Sequence, residues 1–84
     1  MVNIEIYTKQ HCPYCDRAKQ LLTHKNVTWT EYAIDEDEDK REEMMRRSGL
    51  RTVPQIFING KSIGGFDDLN KLNQEGALDQ LLAG

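Results

Sequence analysis

Cys12 and Cys15 are the only cysteines of this 84-residue chain, and they enclose Pro13-Tyr14. Proline suits the first position of a helix, where its missing N–H leaves nothing unpaired. Cys12 then falls at the N-cap. Its sulfur would lie among free backbone N–H groups and at the positive end of the helix dipole, a setting that favours an anion. The thiolate is that anion, and it is the nucleophilic form of cysteine. Cys15 is three residues on, so it shares a side of the helix with Cys12 and comes within its reach. One thiol poised to attack and a second placed to resolve is what thiol–disulfide exchange requires.

Other uses of the spacing are poorly supplied. Structural zinc wants four Cys or His ligands, and the chain adds only His11 and His24 to its two cysteines. A c-type haem needs His directly after the second Cys, and Asp16 stands there. A structural disulfide closing so short a loop would add little stability. A redox pair is the remaining reading, and a strand just ahead of the motif strengthens it.

The elements that would hold the pair are legible in the pattern. Val2, Ile4 and Ile6 alternate with Asn3, Glu5 and Tyr7, which predicts a first strand over 2–7 with one strongly apolar face. A helix is expected from Pro13 to about Lys25, with Cys15, Ala18, Leu21 and Leu22 on one face. On that face Cys15 should be recessed, while Cys12 should be exposed. Asn26 is a plausible helix end. Val27 to Ile34, with Trp29 and Tyr32, reads as a second strand, parallel to the first because a helix joins them.

Asp35-Glu36-Asp37-Glu38-Asp39 reads as a solvated loop and the acidic first turn of a second helix. That helix should run to about Ser48 with Gly49 as its cap. Its apolar content is thin, chiefly Met44 and Met45, so it should be the most exposed helix. Gln55-Ile56-Phe57-Ile58 suits a strand covered on both faces. Asn59-Gly60 suits a hairpin turn, and Lys61-Ser62-Ile63 the returning edge. Gly64-Gly65-Phe66-Asp67-Asp68 should turn into a third helix with Asp67 as a candidate N-cap and Leu69 and Leu72 buried. Gly76 should break it ahead of a short last helix or extension carrying Leu78, Leu81 and Leu82.

The size suits one small domain, 1–84. A formal net charge of −3 gives no electrostatic case for nucleic acid or an anionic membrane. No apolar run approaches a membrane span, and Met1 to Glu5 looks like a strand rather than a signal peptide. Two cysteines in this spacing without a signal point to a reducing compartment, so a cytoplasmic location is expected.

The element order β-α-β-α-β-β-α resembles the glutaredoxins, an α/β family of thioredoxin-like fold. The resemblance runs nearly end to end. It is carried by Lys9 ahead of the motif, Cys12-Pro13-Tyr14-Cys15, Thr52-Val53-Pro54 and Gly64-Gly65-x-Asp67-Asp68. It is strongest to the dithiol, C-P-Y-C branch. It implies a four-stranded mixed sheet of order 2-1-3-4 and a cis bond between Val53 and Pro54. The residues alone suggest trans, the usual state of X–Pro.

The resemblance also implies glutathione as co-substrate and no metal. Lys9 would meet the glycine carboxylate, and Tyr14 would pack beside the mixed disulfide. Thr52 and Val53 would flank the cysteinyl backbone. The N–H groups of Gly65, Phe66 and Asp67 would be free for the γ-glutamyl carboxylate. The Asp67 carboxylate would meet the ammonium. Phe66 is credited for its N–H only, and Arg41 and Arg51 are further cations outside this set. His11 should face solvent.

Cys12 would be the nucleophile and Cys15 the resolving thiol, passing through a Cys12–Cys15 disulfide at a potential of roughly −200 to −230 mV. The implied partners are disulfide-bonded or glutathionylated proteins, ribonucleotide reductase among them, met by a monomer. Two rival readings differ in partner. A redoxin served by thioredoxin reductase would not need Lys9, Thr52 and the Gly64–Asp67 turn. An iron–sulfur carrier of the family would usually show a single-cysteine C-G-F-S motif, which is not present.

Overall fold

The computed structural model describes residues 2–83; Met1 and Gly84, at the ends of the expected domain, lie outside the described residues. The elements are β1 (Ile4–Thr8), α1 (Pro13–His24), β2 (Thr30–Ala33), α2 (Glu38–Ser48), β3 (Gln55–Ile58), β4 (Lys61–Gly64), α3 (Phe66–Gln74) and α4 (Ala77–Ala83). β1 pairs in parallel with β2 and antiparallel with β3, and β3 pairs antiparallel with β4. The strand order is β2-β1-β3-β4, as the resemblance implied.

Alternation along β1 and β3 sends side chains to opposite faces. Ile4, Ile6, Ile56 and Ile58 meet Ala18, Leu22, Leu69 and Leu78 in one core, under α1, α3 and α4. Tyr7 and Phe57 point the other way and meet Ile34 and Met44, under α2. Burying each large apolar side chain contributes about 1.5–3 kcal/mol. Tyr7, expected on the more polar face of β1, is in fact fully buried. The reason is that α2 covers that face too.

α2 docks with little apolar surface because its polar residues find partners. The Arg47 guanidinium lies 4.0 Å from the centre of the Phe57 ring and donates two hydrogen bonds to Glu5, at 3.0 and 3.1 Å. Arg47 also donates to the Tyr7 hydroxyl at 2.7 Å, and that hydroxyl donates to Glu43. The Arg47 bonds hold the Glu5 carboxyl below its usual pKa, and the Tyr7 bond does the same for Glu43. Burial, reinforced by Glu43, pushes the Tyr7 phenol up to about 12.

The hairpin turn is as expected, with positive φ at Asn59 and Gly60. Gly49 caps α2 in the left-handed region, and the Asp37 side chain accepts from the Lys40 N–H at its start. β2 is shorter than its sequence suggests. Residues 27–29 precede it outside the ladder, although Val27 and Trp29 still pack against the first core. β1 and β4 each reach one residue further than expected, to Thr8 and Gly64.

Candidate active site

Three segments converge at one end of the sheet. The first is the start of α1. Cys12 is its N-cap, in extended conformation, with Pro13 next. The Cys15 N–H donates to the Cys12 sulfur at 3.1 Å, so the helix aims a backbone donor at that atom, as an N-cap does. Cys12 and Cys15 are joined as a disulfide, with their Cα atoms 5.2 Å apart.

The order of shielding is as expected and the degree is not. Cys15 keeps 1% of its surface and Cys12 only 7%. In the oxidised pair the bond to Cys15 covers one side of the Cys12 sulfur. What remains opens on a groove of about 580 Å³. Lys9, Arg41, Arg51, Thr52 and Val53 line that groove with Cys12. One acid, Asp35, lines it too, and the excess of cations around the nucleophile favours its charged form and an anionic substrate. His11, also on the rim, is exposed at φ 55°.

The second segment is 52–54. The Val53–Pro54 bond is cis, which corrects the trans form suggested by the residues alone and matches the resemblance. Thr52 is exposed and held by Gln55, whose side-chain amide donates to the Thr52 carbonyl at 2.9 Å and to its hydroxyl at 3.2 Å.

The third segment is 64–68. Gly65, not Asp67, is the N-cap of α3, so the expected cap is off by two residues. The Gly65 N–H donates to the Asp68 carboxylate at 3.0 Å. It is therefore not the free donor that the motif suggested. Phe66 and Asp67 follow as the first helical residues, whose N–H groups have no acceptor within the helix. Asp67 is exposed, and its carboxylate is not spent on the cap.

A second cavity of about 270 Å³ joins these segments. Thr52 and Val53 line both cavities, while Tyr14, Gly65, Phe66 and Asp67 line the second. The site residues read from the sequence thus gather around two adjoining cavities that share Thr52 and Val53, with Cys15 recessed at 1% exposure. Arg41 and Arg51, outside that set, line the groove as well. Arg41 follows the N-terminal turn of α2, and that helix's docking, invisible in the sequence, brings it to the thiol.

Among the described residues no cluster of three or more His, Cys, Asp or Glu could hold a metal ion. None of the helices described is long and apolar enough to cross a membrane.

A mixed four-stranded sheet with a dithiol at a helix N-terminus, beside a cis-proline loop, defines a redox protein of thioredoxin-like fold. The comparisons narrow the class. The glutaredoxin family model matches residues 4–63. The chain is 58% identical over 82 residues to glutaredoxin 3 of Escherichia coli K12, covering 98% of this chain and 99% of that one. It is 48% identical over 83 residues to a glutaredoxin of Pseudomonas aeruginosa, covering 99% of each. The buckwheat glutaredoxin–glutathione complex superposes with a TM-score of 0.89 at 29% identity, over 98% of this chain and 77% of that one. Brucella melitensis glutaredoxin does so with 0.85 at 49%, over 98% and 89%. The chain belongs to the glutaredoxin family, the glutathione-dependent thiol–disulfide oxidoreductases.

Proposed function

We propose that Cys12 is the nucleophile and Cys15 the resolving thiol. The observation that carries this is the helix donor on the Cys12 sulfur, at the wall of a cationic groove. With a glutathionylated substrate, the Cys12 thiolate attacks the glutathionyl sulfur. The Cys12–glutathione bond forms and the substrate leaves as a thiolate. A second glutathione attacks the glutathionyl sulfur, releasing glutathione disulfide and the Cys12 thiolate. With a protein disulfide, Cys12 attacks one sulfur and expels the other. Cys15 then attacks the Cys12 sulfur, so the protein leaves with two thiols and the Cys12–Cys15 disulfide remains. Two glutathiones reduce that bond.

Glutathione lies along the groove in this reading. Lys9 meets its glycine carboxylate, and Thr52 and Val53 flank its cysteinyl backbone. Tyr14 packs beside the sulfurs. The Phe66 and Asp67 amides take the γ-glutamyl carboxylate at the helix start, and the Asp67 side chain takes the ammonium. Gly65 serves the turn. The protein acts as one domain over 1–84, as a monomer in the cytoplasm, where glutathione keeps thiols reduced. Ribonucleotide reductase is a protein substrate to try first.

Turnover of hydroxyethyl disulfide with glutathione, glutathione reductase and NADPH is the test. Cys12→Ser should abolish it. Cys15→Ser should keep deglutathionylation and lose protein-disulfide reduction. Loss of both by Cys15→Ser, with the fold intact, would refute the division of labour.

A further inference from the structure

The large hydrophobic side chains left most exposed among the described residues are Tyr14, at 51%, and Leu50, at 50%. Single exposed apolar residues are ordinary on a protein surface. These two line the same cavity, and the Phe66 side chain joins them there. The Tyr14 and Phe66 ring centres are 6.2 Å apart, and the Arg17 guanidinium sits 5.1 Å from the Tyr14 ring. The cavity shares Thr52 and Val53 with the adjoining groove that Cys12 lines.

In the reading above, glutathione engages Tyr14, Thr52, Val53, the Phe66 and Asp67 amides and the Asp67 carboxylate of this lining. It leaves the Leu50 side chain and the Phe66 ring without a role. An apolar rim contiguous with a reactive thiol fits a substrate that carries an apolar side chain close to its own disulfide. Water leaves both surfaces when they meet.

We infer that Leu50 and the Phe66 ring are the two jaws of a specificity clamp for protein disulfides flanked by a bulky apolar residue. The inference rests on the function proposed above. The occupant is an extended segment of a substrate protein, its leucine or phenylalanine side chain between the jaws and its disulfide at Cys12. The reaction is the dithiol exchange already described, with glutathione as the final reductant.

The test uses two peptides with an internal disulfide, alike except for leucine or glycine beside the attacked cysteine. A half-exposed rim yields less than the tenfold or more that an enclosed apolar pocket extracts from a methylene. A preference in kcat/KM of about fivefold for the leucine peptide is therefore expected. Leu50→Ser should erase that preference and leave hydroxyethyl disulfide turnover within about twofold. Leu50→Met, which keeps the apolar bulk, should retain the preference. Equal rates on the two peptides with the unmodified protein would overturn the clamp. So would a Leu50→Ser protein that slows both peptides and hydroxyethyl disulfide alike. If the unmodified protein failed to turn over hydroxyethyl disulfide with glutathione, the underlying function would fall, and the clamp with it.

Discussion

Arg47 grips Glu5 through two hydrogen bonds, at 3.0 and 3.1 Å, across the face of the sheet that α2 covers. The pair joins the last turn of α2 to β1, the strand that leads into the thiol loop. Forked Arg–carboxylate pairs have fixed geometry as well as energy. Here the pair sets where α2 sits, and α2 carries Arg41 to the groove.

Arg47→Ala should therefore destabilise the protein. It removes the stacking on Phe57 and leaves Glu5, which is largely shielded, without its cation and with only the Tyr32 hydroxyl, 3.0 Å away, still donating to it. Full burial would make the loss about 3–5 kcal/mol. Partial exposure reduces the expectation to about 1–3 kcal/mol. Urea unfolding of the two proteins measures it, and equal midpoints would show that the Arg47–Glu5 pair does not hold α2.

The same network predicts two limits to stability with pH. Glu5 and Glu43 have lowered pKa values in the fold. As pH falls below the ordinary value of 4.5, the unfolded chain takes up protons first, and stability is lost. Tyr7 has the opposite sense, raised from 10.0 to about 12. Its contribution is complete below pH 10 and is lost as pH rises from there towards 12. Thermal unfolding against pH should show both declines. In Tyr7→Phe, which is expected to be less stable near neutral pH because Glu43 loses the phenol's hydrogen bond and keeps only its bonds to cations, the alkaline decline should be weakened.

Much of this was legible because local chemistry fixed it. Pro13 announces the start of α1, Gly49 the end of α2, and Asn59-Gly60 the hairpin, each through a backbone preference of the residue itself. Alternation placed Ile4 and Ile6 on one face of β1, and the unbroken apolar run marked β3 as covered on both faces, though neither showed what Tyr7 would meet. That depends on α2, whose docking uses Glu43 and Arg47, and a Glu–Arg pair four apart reads equally well as a solvated helix surface. The cap of α3 was misread for a related reason. Asp67 and Asp68 are chemically alike, and only the turn decides which carboxylate folds back. The cis form of Val53–Pro54 has no local signal and came from the resemblance alone. The closing of Cys12 depends on its bond to Cys15, which follows the redox state.

Gly64 is the residue on which that turn depends. Its φ is +113°, and an added Cβ would run into the Asp68 carboxylate that holds the Gly65 N–H. Gly64→Ala should thus lose both an accessible conformation and the cap, about 1–3 kcal/mol. Because Phe66 and Asp67 follow directly, its KM for glutathione should rise as well. Asp68→Asn keeps the space and weakens the cap, so it should shift both quantities less. A Gly64→Ala protein with unchanged stability and KM would remove the turn from the account.

Asp67 offers a separate reading of the γ-glutamyl end. It is exposed, and its carboxylate takes no part in the cap. Exposed charge pairs contribute up to about 1 kcal/mol, so Asp67→Asn should raise the KM for glutathione by about three- to fivefold. The folded stability should hardly change. A large stability loss with an unaltered KM would return Asp67 to a structural role.

The charge on Cys12 can be measured directly. The Cys15 N–H on its sulfur and the Lys9, Arg41 and Arg51 cations along the groove all favour the thiolate. An unperturbed thiol titrates near about 8.5, and thiols at helix N-termini or beside cations fall to about 3.5–7.5. In the reduced protein, the rate of iodoacetamide alkylation at Cys12 should therefore rise with a midpoint below about 7.5. Cys15, recessed at 1% exposure, should react far more slowly over the same range. Removing one cation, in Lys9→Gln, should move the midpoint upward while leaving it below that of a free thiol, since the helix donor remains. If the midpoint instead lay at the free value in the unmodified protein, the helix and the cations would have no hold on the sulfur. Exchange at neutral pH would then proceed through only a few per cent of the molecules.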